Sequence, residues 1–395
     1  MIKIKRIIKD LIYYGLSLLN FLIPKNKNRI FLYDRKYKKD NVHALAEYLS
    51  NSSYNYDVIY YTQDIPLVKL NNIRYINKFH SALWNQMRSS LVVYSYRGDG
   101  FIPFKSFWNQ KIVDTMHGSP LKAIGYSLTD EKINSQIFPF SRSFDYILCL
   151  SDYFKDVVKK RFGASEEQCL VLGYPRNDMI FEEESFVAHI DIDSKFEKVI
   201  LWMPTWRNPI IGNSGISEDK YSFPILNLEN IQQVNKLLES KKILLVIKPH
   251  PFQASLKLFE ENQSNIKTID NDFLDKHNIN LYKTLNSFDG LITDYSSIYF
   301  DYLLTNKRIG FTIDDFELYS EYQGFSVDDP LSLMPGDKIT DLNGLINFFD
   351  DVLEDADGFS HEREEVNRKV NKYTDNNSSK RFIEFFENIG TLKKR

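Results

Sequence analysis

Three observations predict an α/β fold made of two doubly wound halves. Short β-rich apolar runs alternate with helix-like segments from residue 29 onward, the 395 residues exceed what one hydrophobic core serves, and polar and cationic residues gather just after the strand-like runs. Halves of this kind bind ligands in the crevice outside the carboxyl ends of their parallel strands. The loops that follow the strands are therefore where chemistry is expected.

In the first half the strand-like runs are 29–33, 56–61, 90–95, 111–116, 144–150 and 168–172, with helix-like segments at 42–50, 78–88 and 152–162. Ser151 is placed to cap the last of these helices and Gly163 to stop it. An acidic stretch beginning at Glu182, followed by polar residues to 195, reads as a linker. The second series comprises strands 198–203, 242–247, 290–293 and 308–312, and residues 382–389 read as a closing helix. The chain then divides into 1–28, an amphipathic helix; 29–190, a first α/β domain; 191–372, a second α/β domain; and 373–395, the closing helix.

The first 24 residues differ from the rest. Lys3, Lys5, Arg6 and Lys9 precede an apolar stretch that ends at Ile23, and no small-residue cleavage site follows it. The stretch is shorter than the roughly 20 apolar residues of a membrane-spanning helix. On a helical wheel Ile4, Ile7, Ile8, Leu11, Ile12, Gly15, Leu18, Leu19 and Leu22 form one apolar face, and Lys25, Lys27 and Arg29 follow Pro24. Two readings fit: a helix lying in an anionic membrane surface, or an amphipathic helix packed on its own domain.

With 50 basic and 53 acidic residues the formal charge is −3, which gives no electrostatic case for nucleic acid as a partner. Cys149 and Cys169 lie in strand-like runs without metal-ligand spacing and read as reduced core thiols. No metal-binding pattern and no glycine-rich nucleotide fingerprint is present, and Arg97-Gly-Asp-Gly100 reads as a turn.

The strand ends hold the chemistry. Strand 111–116 delivers His117-Gly-Ser-Pro-Leu-Lys122, where Gly118 allows close approach and Ser119 starts the next element. An imidazole there suits a proton acceptor, although a lone loop histidine is also ordinary polar filler. Strand 168–172 delivers Gly173-Tyr-Pro-Arg-Asn-Asp178, and strand 198–203 delivers Pro204-Thr-Trp-Arg207. Arg176 and Arg207 offer guanidinium forks for phosphate oxygens, or else serve in salt bridges. Strand 242–247 delivers Lys248-Pro-His-Pro251, in which two prolines fix His250 and Lys248 precedes it, a pairing suited to a diphosphate. Strand 290–293 runs into Asp294-Tyr-Ser-Ser297 and an apolar helix continuing through 304. Ser296 and Ser297 then sit at a helix N-terminus, either as an anion site or as a plain cap. Asp294 and Asp301 orient neighbours, bind donor hydroxyls or accept structural hydrogen bonds.

Together with Leu333-Met-Pro-Gly336, these five motifs resemble in order and spacing the CDP-glycerol glycerophosphotransferase family of teichoic acid synthesis, over residues 78–336. The resemblance implies a GT-B type fold, two Rossmann-like domains with an interdomain cleft, acting at the cytoplasmic face of the cell membrane as a peripheral protein. It implies transfer of glycerol phosphate from CDP-glycerol to a hydroxyl of a lipid-linked saccharide or polyol phosphate acceptor, releasing CMP and using no cofactor and no metal. By the same resemblance His117 is the base and His250 a second catalytic residue. Arg207, Lys248, Ser296 and Ser297 hold the donor diphosphate, with Gly118, Ser119, Arg176, Asp178, Asp294 and Asp301 in support. Ser119 stands where the family more often has threonine, and the chain lacks the N-terminal extension of some polymerases in the family. The motifs do not choose between glycerol and ribitol or another polyol on the CDP donor. A GT-B glycosyltransferase using a sugar nucleotide and a non-catalytic lipid-carrier scaffold are the rival classes.

Overall fold

The computed structural model of the chain describes residues 2–36, 39–66, 68–95, 104, 109–123, 144–182, 184–190, 196–205, 223–249 and 263–393. They form two compact units, the first from Met1–Ser119, Leu128–Met179 and Val370–Arg395, the second from Pro120–Ser127 and Ile180–Lys369. The chain thus changes unit after Met179, ahead of the expected boundary at 190, and its last segment returns to the first unit.

The first unit contains α1 (Ile2–Leu22), β1 (Asn26–Tyr33), α2 (Asn41–Asn51), β2 (Asp57–Tyr61), β3 (Ile73–Ile76), α3 (Phe79–Arg88), β4 (Ser89–Tyr94), β5 (Lys111–Asp114), β6 (Tyr146–Cys149), α4 (Asp152–Phe162) and β7 (Cys169–Val171). Its seven strands are all parallel, in the order β3-β2-β1-β4-β5-β6-β7. The second unit contains β8 (Lys198–Trp202), α5 (Ile231–Ser240), β9 (Ile243–Ile247), β10 (Ile266–Thr268), α6 (Asn271–Lys276), α7 (Leu281–Thr284), β11 (Gly290–Thr293), α8 (Ile298–Tyr302), β12 (Arg308–Thr312), α9 (Phe316–Tyr322), β13 (Asp337–Ile339), α10 (Leu342–Leu353) and α11 (Ser360–Val370). Its six strands are parallel too, in the order β10-β9-β8-β11-β12-β13. A last helix, α12 (Ser378–Asn388), belongs to the first unit.

Parallel strands covered on both faces read as continuous apolar runs, and β4, β9, β11 and β12 are buried along their whole length. Three strands escaped the sequence reading: β3, β10 and β13. Each lies at a sheet edge, has three or four residues and carries Arg74, Lys267 or Lys338, the short charged make-up that blunts an edge. Ser151 and Gly163 cap α4 as expected: Ser151 Oγ accepts from the Phe154 amide, and Gly163 takes a φ of 63°. Both cysteine thiols are free and buried.

The described part of the expected linker is packed rather than loose. Phe186 is fully buried against Phe288, with ring centroids 5.1 Å apart, and its amide donates to Ser287 Oγ. One aromatic ring in an otherwise polar stretch anchored it to the second unit.

In the described side chains of α1, Ser17 and Asn20 are buried, and Asn20 donates to Gln110 of the same unit, whereas Leu11, Tyr14, Leu18 and Leu22 are about two-thirds exposed. The basic residues after it are engaged at home: Lys25 donates to Asn20 and Ile23 at its C-terminus, Lys27 to the Gly390 carbonyl, and Arg29 pairs with Asp57. Among the described residues no helix is long and apolar enough to cross a membrane.

Candidate active site

The strand order of each unit reverses direction once, between β1 and β4 and between β8 and β11, and ligand crevices of doubly wound sheets open at such points. The predicted residues cluster at the carboxyl ends of these strands and their neighbours.

In the first unit β5 ends at Asp114 and the chain turns sharply to present His117. The turn needs Met116 in the left-handed region, φ 59°, which is costly for a residue with a side chain. Several groups hold it there: Asp114 accepts from the Met116 amide at 2.8 Å, and Asn41 Nδ2 donates to the carbonyls of Thr115 and Met116 at 3.1 and 3.0 Å. The His117 side chain is 58% exposed, while its Nδ1 hydrogen-bonds Asp40 Oδ2, a carboxylate that is only 4% exposed. Asp40 lies between β1 and α2, 77 residues away, and caps α2 by accepting from the Asn41 amide.

Arg176 completes this arrangement. It is 2% exposed, donates from NH1 to Asp40 Oδ1 at 2.8 Å and to the His117 carbonyl at 3.0 Å, and its guanidinium lies 5.2 Å from the centroid of the Tyr174 ring. The ion pair with Asp40 lies within the first unit, so it is not the domain-interface salt bridge that the sequence offered as an alternative to phosphate binding. Burial alone would raise the Asp40 carboxyl, but the charges and hydrogen bonds of Arg176 and His117 outweigh it and hold the group well below the usual carboxylate range. Gly118 is half-buried, and Ser119 is buried, its hydroxyl without a hydrogen-bond partner among the described residues.

Asp178 lies apart from His117 in role. Its two carboxylate oxygens accept from the amides of Ser378 and Ser379 and so hold the start of α12. The Gly173 turn before it, φ 81°, passes so close to α12 that an added Cβ would stand 2.5 Å from Ser378 Oγ. The Gly173-Tyr-Pro-Arg-Asn-Asp178 motif is thus divided: Arg176 serves the His117 turn and its two ends serve packing.

In the second unit the end of β11 is tied to the end of β8. Asp294, fully buried, accepts from the Thr205 amide at 2.9 and 2.8 Å and from its hydroxyl at 2.5 Å, and Thr293 Oγ1 donates to the Met203 carbonyl at 2.7 Å. Asp294 therefore fixes the path of the Pro204-Thr loop. Ser296 and Ser297 follow it, half-buried. Ser297 occupies the N-cap position of α8 and its side chain makes no capping hydrogen bond. Helix α8 is also shorter than expected: it ends at Tyr302 and tightens to a 3-10 turn over Leu303–Thr305, so its dipole is small. Asp301 is 1% exposed and accepts from Tyr282 Oη at 3.1 Å, a contact within the packed unit.

Lys248 follows β9, its amide bonded to the Trp202 carbonyl of β8. Burial pushes its ammonium down, partly offset by Asp270. Arg207 and His250 lie outside the described residues. The sequence reading missed Asp40 and Asn41; the one available signal was an Asp-Asn pair just ahead of the helical segment that follows the first strand, a cap signature pointing at a strand-end loop.

Two doubly wound parallel sheets, with an exposed imidazole backed by a buried carboxylate in one and a lysine and two serines at strand ends of the other, are the equipment of a group-transfer enzyme that handles phosphates. The chain belongs to the CDP-glycerol:poly(glycerophosphate) glycerophosphotransferase family, whose sequence pattern matches residues 16–388. It is 26% identical to the teichoic acid glycerol-phosphate primase of Bacillus subtilis, covering 98% of this chain and 99% of that protein. It is 27% identical to the teichoic acid glycerol-phosphate transferase of Staphylococcus aureus, covering 96% and 98%. Its fold is that of the wall teichoic acid polymerase TagF, of GT-B type: a solved structure of a TagF variant superposes with a TM-score of 0.74 at 21% identity, covering 98% of each chain.

Proposed function

We propose that this enzyme transfers glycerol phosphate from CDP-glycerol to a hydroxyl of a lipid-linked acceptor at the cytoplasmic face of the membrane, releasing CMP, in the synthesis of teichoic acid or a related wall or capsule polymer. The observation that carries the proposal is the His117 arrangement. With Nδ1 donating to an ionised carboxylate, the neutral ring carries its lone pair on Nε2, and the ring is exposed.

The acceptor oxygen attacks the glycerol-linked phosphorus while His117 Nε2 takes its proton. The new P–O bond forms as the bond to the CMP oxygen breaks, and CMP leaves with the bonding pair. Lys248, Ser296, Ser297, Arg207 and His250 hold the diphosphate and the charge that gathers on the leaving phosphate. The Ser297 hydroxyl, which makes no capping hydrogen bond, and the half-buried Lys248 support this role, since each gains from an anion beside it. The near end-to-end likeness to a glycerol-phosphate primase and a glycerol-phosphate transferase supports addition of a first or single unit.

The exposed Leu11, Tyr14, Leu18 and Leu22 of α1 support docking at the membrane, and the sequence ahead of them is basic. The test of the activity is a donor screen with the full chain and a lipid-linked disaccharide acceptor, with an acceptor-free control. CDP-glycerol is expected to give acceptor-dependent CMP release above CDP-ribitol and UDP-sugars. Preference for CDP-ribitol would move the donor assignment, and UDP release would overturn the reaction class.

A further inference from the structure

Asp40 does more than pair with a histidine, because the rest of its hydrogen bonding fixes which of its oxygens faces the ring. Oδ1 is taken by two groups that only donate, the Asn41 amide at 2.7 Å and Arg176 NH1 at 2.8 Å. Oδ2 is the oxygen that meets His117 Nδ1. Arg176 in turn grips the His117 carbonyl at 3.0 Å, and the Arg176 amide donates to Asn41 Oδ1 at 3.2 Å, so ring, carboxylate and guanidinium are positioned as one piece. Asp40 meets the ring itself and Arg176 the His117 carbonyl, while Asp114 accepts from the Met116 amide.

We infer that Asp40 is a positioning residue for the transfer reaction: clamped by Arg176 and the Asn41 amide, it holds the His117 ring in the tautomer protonated on Nδ1 and leaves Nε2 to accept the proton. This rests on His117 being the base. Asp40 touches neither donor nor acceptor in this scheme; it acts through the imidazole.

The clamp makes a sharp test of Asp40→Asn. Two donors on the Oδ1 side require the amide oxygen there, so the amide nitrogen must face His117 Nδ1. Two N–H groups cannot face each other, so the neutral ring moves its proton to Nε2 and loses its lone pair on the reactive side. Shape and the contact with Arg176 are kept, so CDP-glycerol binding is kept.

The experiment measures kcat and KM for CDP-glycerol in the wild type, Asp40→Asn and His117→Ala, together with ring 15N spectra of the wild type and Asp40→Asn. His117 is assigned by its absence from His117→Ala. The expected result is an Nδ1–H ring in the wild type, an Nε2–H ring in Asp40→Asn, and kcat lowered about 100-fold or more at a KM within about threefold. A wild-type ring protonated on Nε2 overturns the inference whether or not Asp40→Asn folds. Asp40→Asn with wild-type kcat overturns it as well. If His117→Ala is inactive in that case, the base assignment stands and only the role of Asp40 falls; if His117→Ala is fully active, the base assignment itself falls.

Discussion

At the scale of single residues the site is a set of charges held by partners that leave one face open. Asp40 shows the energetic side of this. Its folded carboxyl titrates below its ordinary value of 3.8, so its ion pairs stabilise the fold fully above that value and the contribution is lost as pH falls below it. Wild-type melting temperature is therefore expected to drop more steeply than that of Asp40→Asn between about pH 5 and pH 3, measured by calorimetry; parallel curves would contradict the ion-pair account. Lys248 gives the opposite limb. Because its ammonium is pushed down by burial, CDP-glycerol binding is expected to weaken as pH rises through that lowered value, and Lys248→Arg, which keeps its charge, should flatten the dependence. A KM profile for the two proteins from neutral to alkaline pH reads this directly. Ser297→Ala should raise the KM for CDP-glycerol about fivefold, the value of roughly 1 kcal/mol for one hydrogen bond; an unchanged KM would remove Ser297 from the donor site.

Elements show how far local sequence carries. The helix 152–162 was legible to the residue because Ser151 and Gly163 are chemically specific stop signals. The central strands were legible because burial on both faces makes them continuously apolar. Edge strands β3, β10 and β13 were not, since an edge is built to look unlike a strand. At the site the loops after the strands were legible as a group, but partners were not. Asp294 and Asp178 both read as supporting residues of the site, yet Asp294 ties the loop after β8 and Asp178 holds the start of α12; a carboxylate at a turn has the same sequence signature in both jobs. Asp40 was invisible because its partner is 77 residues distant. The Leu333-Met-Pro-Gly336 motif finds its reason here too: a Cβ on Gly336 would stand 2.0 Å from the Ile309 carbonyl of β12. Gly336→Ala is accordingly expected to cost about 2 kcal/mol or more in urea unfolding, with β12 and β13 forced apart. A neutral effect would mean that this edge of the sheet yields easily.

For the whole molecule the chain belongs to a glycerophosphotransferase family, and the His117 group lies in its first unit while the Lys248 and Ser297 loops lie in its second. Helix α1 exposes Leu11, Tyr14, Leu18 and Leu22, and on the proposed docking at the membrane a chain lacking residues 1–24 should lose most of its binding to anionic vesicles in a flotation assay. Undiminished flotation would assign membrane contact elsewhere. The central claim is that His117 takes the acceptor proton, and the most direct measurement is acceptor-dependent CMP release from CDP-glycerol by His117→Ala. The account predicts a fall of about 100- to 10,000-fold with CDP-glycerol still bound, and release at the wild-type rate would contradict it.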